Sequence, residues 1–133
     1  MTDEARAIER AEVAAFFAGH PGALPLCEAF EAALRARILD VSRRVQKTQI
    51  TFLRRRVFAC VSLMRAKRNA ELPDPWIVVT LGLPYPLVSG RVASACEPYS
   101  GRWTNHIVVG SAAEIDGELL SWTEQACAFA EAK

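Results

Sequence analysis

The segment KTQITFLRRRVFACVSLM (residues 47–64) contains two runs of strand-forming residues on either side of three consecutive arginines. In the first run, residues 48–53, Ile50 and Phe52 alternate with polar residues, and this period of two predicts a strand with one face fully buried. The second run, residues 57–64, is apolar on both faces and predicts an interior strand. The arginines lack the Asn-Gly or Asp-Gly of a tight hairpin turn, so we expect a loop of roughly three to four residues or a bulge.

The rest of the chain predicts two more strands and three helices. Thr2 can cap the first helix, and Ser111 with Glu114 forms a capping box before the last one. Apolar residues at helical spacing give the second helix a core-facing stripe, consisting of Cys27, Phe30, Leu34 and Ile38. Further strands are expected at residues 76–83 and 103–109. Residues 84–102 are expected to form a long irregular loop, and loops of this length are usually functional or mobile.

This order of elements predicts an α+β fold. We expect about four mainly antiparallel strands in one sheet, with two N-terminal helices and one C-terminal helix packed on one face. The 133 residues are sufficient for one domain, residues 1–133, and the charged fraction of 23% is that of an ordinary soluble protein. The N-terminus lacks the apolar region of a signal peptide, and the apolar runs are too short to span a bilayer, so the expected location is cytoplasmic. The four cysteines have no zinc-like spacing and are expected to be free thiols, buried except for Cys96.

Positive charge is concentrated in one part of the chain. Residues 35–68 contain eleven Lys or Arg and one acidic residue, whereas the remainder contains five basic and fourteen acidic residues. This asymmetry points to an anionic ligand or an acidic surface as partner. The alternative is that the basic strands face acidic helices of the same molecule.

Five basic residues form a candidate ligand-binding constellation: Lys47, Arg54, Arg56, Arg102 and His106. Arginine forks and lysine charges suit phosphate or carboxylate, and a histidine adds a group that titrates near neutral pH. The helix N-terminus expected at Ser111 would add backbone N–H donors. The alternative is a solvated arginine turn and a half-buried strand histidine. Residues beside the long loop are candidates for lining a small-molecule pocket: Tyr85, Arg91, Tyr99 and Trp103.

Motifs of catalysis, cofactors and metals are lacking. The sequence contains no G-x-S-x-G, no glycine-rich phosphate loop and no H-E-x-x-H, and its two histidines disfavour a histidine-rich metal site. His106 with Asp116 or Glu118 is the one acid–base pairing that we consider for a small hydrolase-like enzyme. An arginine-tipped hairpin could also bind nucleic acid weakly, although a pI near 7.7 is low for that function.

Several short motifs, in order, resemble an uncharacterised bacterial family known as domain of unknown function 5655. They are Lys47-Thr48-x-Ile50-x-Phe52, Arg56-x-Phe58-Ala59, Gly101-Arg102-Trp103-Thr104-x-His106, and Ile115-Asp116-x-Glu118-Leu119 with Trp122. The resemblance covers roughly residues 14–131 and implies a small α+β module without an agreed activity. It implies no catalytic residue. We therefore expect a non-enzymatic module that binds an anionic small molecule or an acidic protein surface, without a cofactor or membrane contact. Pairing with a second copy is an open alternative.

Overall fold

A computed structural model describes residues 2–65 and 72–132 of the chain. Its helices are α1 (Asp3–Phe16), α2 (Ala23–Arg37) and α3 (Gly117–Glu131). Its strands are β1 (Ser42–Val45), β2 (Ile50–Leu53), β3 (Val57–Ser62), β4 (Ile77–Leu83), β5 (Val92–Tyr99) and β6 (Arg102–Val109). The strands form one antiparallel sheet in the order β1-β2-β3-β4-β6-β5. The predicted α+β class is confirmed.

The sheet has six described strands rather than about four, because both edge strands lack a strong apolar pattern. β1 is the short segment SRRV, which carries two arginines. β5, VASACEPY, consists largely of small and polar residues and lies within the region predicted to be an irregular loop. Edge strands need only one paired side and little apolar surface, so the alternation that marks interior strands is weak in both. The predicted loop 84–102 is therefore wrong at β5 (Val92–Tyr99) and at Arg102, which belong to strands.

The cap of the first helix was predicted correctly, whereas the cap of the last helix was not. Thr2 caps α1, accepting a hydrogen bond from the Ala5 amide at 3.1 Å, and the predicted stripe of α2 is buried. The capping box at Ser111 is not formed as predicted, since this residue makes no side-chain cap and is followed by a short 3-10 turn. Asp116 caps α3 instead, because its carboxylate accepts from the Leu119 amide at 3.0 Å.

One face of the sheet packs against the helices and contains the core. Side chains from α1, α2 and α3 join alternate residues of the inner strands in a single buried cluster, including Ile50, Phe52, Val61, Val79 and Ile107. The pairing of β2 with β3 shifts between Phe52 and Leu53, so β3 has one extra residue at this point. This bulge explains why the consecutive residues Phe58 and Ala59 both belong to the cluster. We call this side of the sheet the helix face.

The other side, which we call the second face, carries the intervening residues of each strand. Its burial is uneven. On this face, Thr51 of β2 is 2% exposed and Cys60 of β3 is 9% exposed. β2 is therefore buried on both faces rather than on one. By contrast, Ser94 and Cys96 of β5 are exposed on this face. Cys96 is also the exposed free cysteine, and Cys27, Cys60 and Cys127 are buried, as predicted. In the described ranges, no helix combines the length and apolar character needed to cross a membrane.

Candidate functional site

Four of the nine described cations in the basic block, residues 35–68, pair with acidic residues on helices of the same molecule. Arg35 pairs with Glu31 and Arg37 with Glu124, each at 2.8 Å. Arg43 binds Glu31 at 2.7 Å and also Glu9, and Arg54 binds Glu131 at 2.8 Å. For Arg43 of β1 and Arg54 at the end of β2, the alternative interpretation that basic strands face acidic helices is correct, whereas Arg35 and Arg37 belong to α2 itself.

The remaining described cations of the block form no ion pair with any described carboxylate: Arg44, Lys47, Arg55, Arg56 and Arg65. Arg102, further along the chain, also lacks one among the residues that the structure describes. Lys67 and Arg68 lie outside the described residues. Arginines without an ion pair remain available for an anion from solution.

The structure separates the five predicted ligand-binding residues. Lys47 lies in the turn before β2, where it lines an open cavity of about 350 Å³ with Glu12 and Phe16. Arg54 and Arg56 follow β2, so they lie at the opposite end of that strand from Lys47. Because the sheet is antiparallel, Arg102 at the start of β6 lies at the same end as the Arg54–Arg56 turn, but β3 and β4 stand between them. Arg102 and His106 share β6 and its second face.

The guanidinium of Arg102 lies above Gly82 of the neighbouring strand. A methyl group built on Gly82 of β4 would come within 2.5, 2.7 and 2.8 Å of the Nη2, Cζ and Nη1 atoms of Arg102. These nearly equal distances place the methyl position over the plane of the guanidinium rather than at its edge. The Arg102 side chain therefore crosses from β6 to β4, and the missing side chain of Gly82 provides the space for it.

His106 is held by a cross-strand partner on the same face. Thr80 lies opposite His106 in the register of β4 and β6, and its Oγ1 is 2.9 Å from the imidazole Nδ1. Burial of the ring lowers the pKa of His106 below its ordinary value of 6.5, so the ring is largely neutral at pH 7. When the Thr80 hydroxyl donates to Nδ1, the proton of the neutral ring is on Nε2, which then becomes a hydrogen-bond donor.

Thr80 also pairs with Cys60 in the register of β3 and β4. Cys60, Thr80 and His106 thus lie in a row across three adjacent strands. Burial raises the pKa of Cys60 above its ordinary value, although the Thr80 hydroxyl opposes that rise. The row holds a protonated thiol and a neutral imidazole at pH 7, with Thr80 fixed between them.

Around this row, six residues form the partly accessible region of the second face, which we call the β6 patch. They are Arg102, Thr104 and His106 of β6, Thr80 of β4, and Ser94 and Cys96 of β5. Ser94 pairs with His106 and Cys96 with Thr104 in the register, so the three strands bring these side chains together. The patch contains a cation, an imidazole, three hydroxyls and a thiol, but no carboxylate.

The four predicted pocket-lining residues do not form one site. Arg91 binds Asp116 at 2.9 Å and Glu118 at 3.0 Å, and its guanidinium lies 5.7 Å from the Trp122 ring centroid. The Tyr85 hydroxyl donates to Gln125, so it also contacts α3.

The other two residues of that set lie on opposite faces of the sheet. Trp103 is on the helix face, opposite Leu83, whereas Tyr99 pairs with Arg102 in the register of β5 and β6. Asp116 and Glu118 are engaged by Arg91 on the helical side, while His106 is on the second face. The structure does not bring this acid–base pair together.

Sequence reasoning missed three residues that shape the region around the patch. Thr80 orients His106, and Gly82 accommodates Arg102. Asn105 is 0% exposed, and it accepts from the Leu87 amide at 2.8 Å and donates to the Tyr85 carbonyl at 3.3 Å. An asparagine at a core-facing position of an otherwise apolar strand was the available signal, because a buried amide needs partners.

The described residues contain no group of three or more His, Cys, Asp or Glu side chains that could hold a metal ion. Among the described side chains, the patch itself offers one imidazole and one exposed thiol. Its chemistry is that of hydrogen-bond donors around one arginine, and this arrangement suits an oxyanion.

The chain is a small α+β protein with a six-stranded antiparallel sheet in the described region and a polar patch on the second face. A family model described as "Domain of unknown function (DUF5655)" matches residues 13–130. The chain belongs to this family, and the resemblance inferred from its motifs is confirmed. Comparison with curated proteins and with solved structures gave no match.

Proposed function

We propose that this protein is a non-enzymatic binding module that recognises an anionic small ligand at the β6 patch. The observation that carries the proposal is the Arg102 guanidinium, which rests on Gly82 without a carboxylate partner among the described residues. An arginine that only stabilised the fold would be expected to pair with a carboxylate, as Arg43 and Arg91 do.

The spacing within the patch supports an oxyanion between Arg102 and His106. Gly82, under the guanidinium, lies two residues from Thr80, and two residues of a strand span roughly 6.6 Å. An oxyanion that accepts one hydrogen bond on each side bridges donors about 7–8 Å apart, since each hydrogen bond is about 2.8 Å long. One carboxylate or phosphate group is therefore of about the right size to reach from the guanidinium to the Thr80–His106 pair.

This site is smaller than the one expected from the sequence. Lys47, Arg54 and Arg56 lie outside the β6 patch, and Arg54 is neutralised by Glu131. We therefore assign ligand recognition to Arg102 and His106, with Thr80, Thr104 and Ser94 as neighbouring hydroxyl groups. An acidic protein surface remains the alternative partner for the exposed cations outside the patch.

The test is a thermal-shift screen of nucleotides, sugar phosphates, inorganic anions and carboxylates, followed by the same screen on variants. A ligand at a hundredfold its Kd stabilises the protein by roughly 2.7 kcal/mol, which raises the Tm by several degrees in a small domain. Arg102→Ala should abolish the shift, and His106→Ala should reduce it.

Arg44→Ala is the matched control, because Arg44 is also an unpaired arginine on the second face. It belongs to the opposite edge of the sheet, four strand positions and so about 19 Å from β6. If a folded Arg102→Ala variant keeps the full ligand response, the proposal is wrong.

Weak nucleic-acid binding by the arginine turn is a second candidate function. Arg55 and Arg56 are exposed and unpaired among the described residues, and Val57 beside them is 42% exposed. This candidate predicts that affinity for oligonucleotides falls steeply with salt and is reduced by the double substitution Arg55→Ala and Arg56→Ala. Affinity that is insensitive to salt would contradict it.

A further inference from the structure

We propose that the anion recognised by the β6 patch is the phosphate group of a phosphate monoester rather than a carboxylate. This inference rests on the proposed function and specifies the chemical class of its ligand. It depends on the number, arrangement and charge of the hydrogen-bond donors in the patch.

The patch offers more donors than a carboxylate can use. Arg102 carries five N–H groups, the neutral His106 donates from Nε2 when Thr80 occupies Nδ1, and Thr104 lies between them on the same face of β6. Ser94 adds a hydroxyl from the other side, because it pairs with His106 from β5. A carboxylate has two oxygens in one plane, whereas a phosphate monoester has three terminal oxygens that point in different directions.

These donors also surround the ligand position from more than one strand. The Arg102 guanidinium lies over β4, Thr104 and His106 project from β6, and Ser94 projects from β5. The backbones of these three neighbouring strands are spread across roughly 10 Å, since adjacent strands lie about 4.8 Å apart. Donors that come from three strands suit a tetrahedral group that accepts hydrogen bonds from several directions.

The charge of the patch favours a dianion. None of its six residues is a carboxylate, and Arg102 has no counterion among the described residues. A phosphate monoester carries between one and two negative charges at pH 7 and therefore gains more from one unpaired guanidinium than a singly charged carboxylate does. The Glu97 carboxylate, on the same β5–β6 hairpin, accepts from the Gly101 amide at 3.1 Å and forms no ion pair with Arg102.

The organic part of the ligand is expected to matter less than its phosphate. Ser94 and Cys96 are exposed, so the patch opens to solvent on the β5 side. A substituent on the phosphate can extend in that direction without meeting the core. We therefore expect monoesters with different organic groups to bind with similar affinity.

The experiment compares three probes that share one ring: phenyl phosphate, benzenesulfonate and benzoate. Their affinities for the wild-type protein are measured by calorimetry at constant ionic strength. Phenyl phosphate should bind about tenfold or more tightly than benzoate, because it carries more negative charge and accepts more charge-assisted hydrogen bonds. Benzenesulfonate, which is tetrahedral but singly charged, should lie between the two.

Two variants and a chemical probe locate the binding. Thr104→Val removes one hydroxyl without changing the shape of the side chain and should weaken phenyl phosphate more than benzoate, whereas Arg44→Ala should change neither affinity. Alkylation of Cys96, the exposed thiol next to Thr104 in the register, should slow in the presence of phenyl phosphate.

The outcomes separate this inference from the function on which it rests. If benzoate or benzenesulfonate binds as tightly as phenyl phosphate and Arg102→Ala abolishes that binding, the phosphate assignment is wrong but the anion-binding function stands. If none of the probes binds, or if binding is unaffected by Arg102→Ala, both proposals fail. Tight binding of phenyl phosphate that depends on Arg102 and Thr104 supports both.

Discussion

The guanidinium of Arg102 occupies the space that a side chain at Gly82 would fill. A methyl group at Gly82 would lie 2.5 Å from Nη2 of Arg102, closer than any ordinary contact. Since the atoms in the way belong to the end of a flexible side chain, Arg102 can move aside without disturbing the sheet. Gly82 therefore controls where Arg102 lies.

The first prediction is that Gly82→Ala weakens anion binding although Arg102 itself is not substituted. The new methyl group should push the guanidinium off β4 and away from the Thr80–His106 pair, and the affinity for the anion should fall about tenfold or more, approaching that of Arg102→Ala. Calorimetric titration measures the affinity, and circular dichroism verifies the fold. Unchanged affinity in a folded Gly82→Ala variant would mean that the position of Arg102 does not matter.

Arg91 is predicted to stabilise the fold rather than to bind a ligand. It joins the start of β5 to α3 through Asp116, Glu118 and the ring of Trp122. Arg91→Ala should lower the free energy of unfolding by about 1–3 kcal/mol, and exposure of the two carboxylates favours the lower part of that range. Urea denaturation measures the loss. Arg6→Ala, an exposed position of α1 without an ion pair among the described residues, is the control and should change stability little.

Asn105 is predicted to anchor the segment that connects β4 to β5. Asn105→Leu keeps the size of the side chain but leaves the Leu87 amide and the Tyr85 carbonyl without their partner. The cost should be about 1–3 kcal/mol, the usual penalty for an unsatisfied buried polar group. Hydrogen exchange at the Leu87 amide should accelerate, while the amide of Ile107 within the β4–β6 ladder serves as the reference. Equal protection of Leu87 in both proteins would show that the anchor is unnecessary.

His106 should make the stability of the protein depend on pH. Its pKa in the folded state lies below the ordinary 6.5 because of burial, so the unfolded chain binds more protons in the window between the two values. The free energy of unfolding should therefore fall as the pH drops below 6.5 and should level off below the folded-state pKa.

Replacing His106 by Asn should remove this part of the pH dependence. Chemical denaturation at a series of pH values between 5 and 8 compares the two proteins, and an NMR titration of the ring measures the pKa directly. A slope that is identical in wild type and His106→Asn would place the pH dependence elsewhere.

The cysteines should differ sharply in reactivity towards a thiol reagent. Burial raises the pKa of Cys27 to about 12 and also raises those of Cys60 and Cys127, whereas Cys96 is exposed. Since the thiolate is the reactive form, one thiol should react rapidly with 5,5′-dithiobis(2-nitrobenzoate) in the native protein, and all four should react after denaturation. Cys96→Ser should lose the rapid phase. Rapid reaction of a second thiol in that variant would contradict the burial of the other three.

The features that the sequence predicted correctly depend on residues close together in the chain. The alternation of Ile50 and Phe52 and the apolar stripe of α2 are short-period patterns that hydrophobic burial imposes locally. The arginine turn with its bulge also lies within one short segment of the chain. The short motifs of the family, which extend from the first predicted strand to α3, were also sufficient to identify the family of this chain. For the patch, the sequence indicated Arg102 and His106 but could not separate them from Lys47 and Arg54.

Contacts between residues far apart in sequence decided which of these basic residues are paired and which lie in the patch. Arg37 and Glu124 are 87 positions apart, and Arg43 and Glu9 are 34 apart, so no local pattern reveals which arginines are neutralised. The strand order is equally nonlocal, since the chain passes from β4 to the edge strand β5 and returns to insert β6 between them. Only this pairing places Thr80 beside His106 and Gly82 beneath Arg102. The sequence by itself determined the buried strands, the helices and the family, because periodic burial is encoded locally, whereas the tertiary structure decided which charges remain free and which side chains meet.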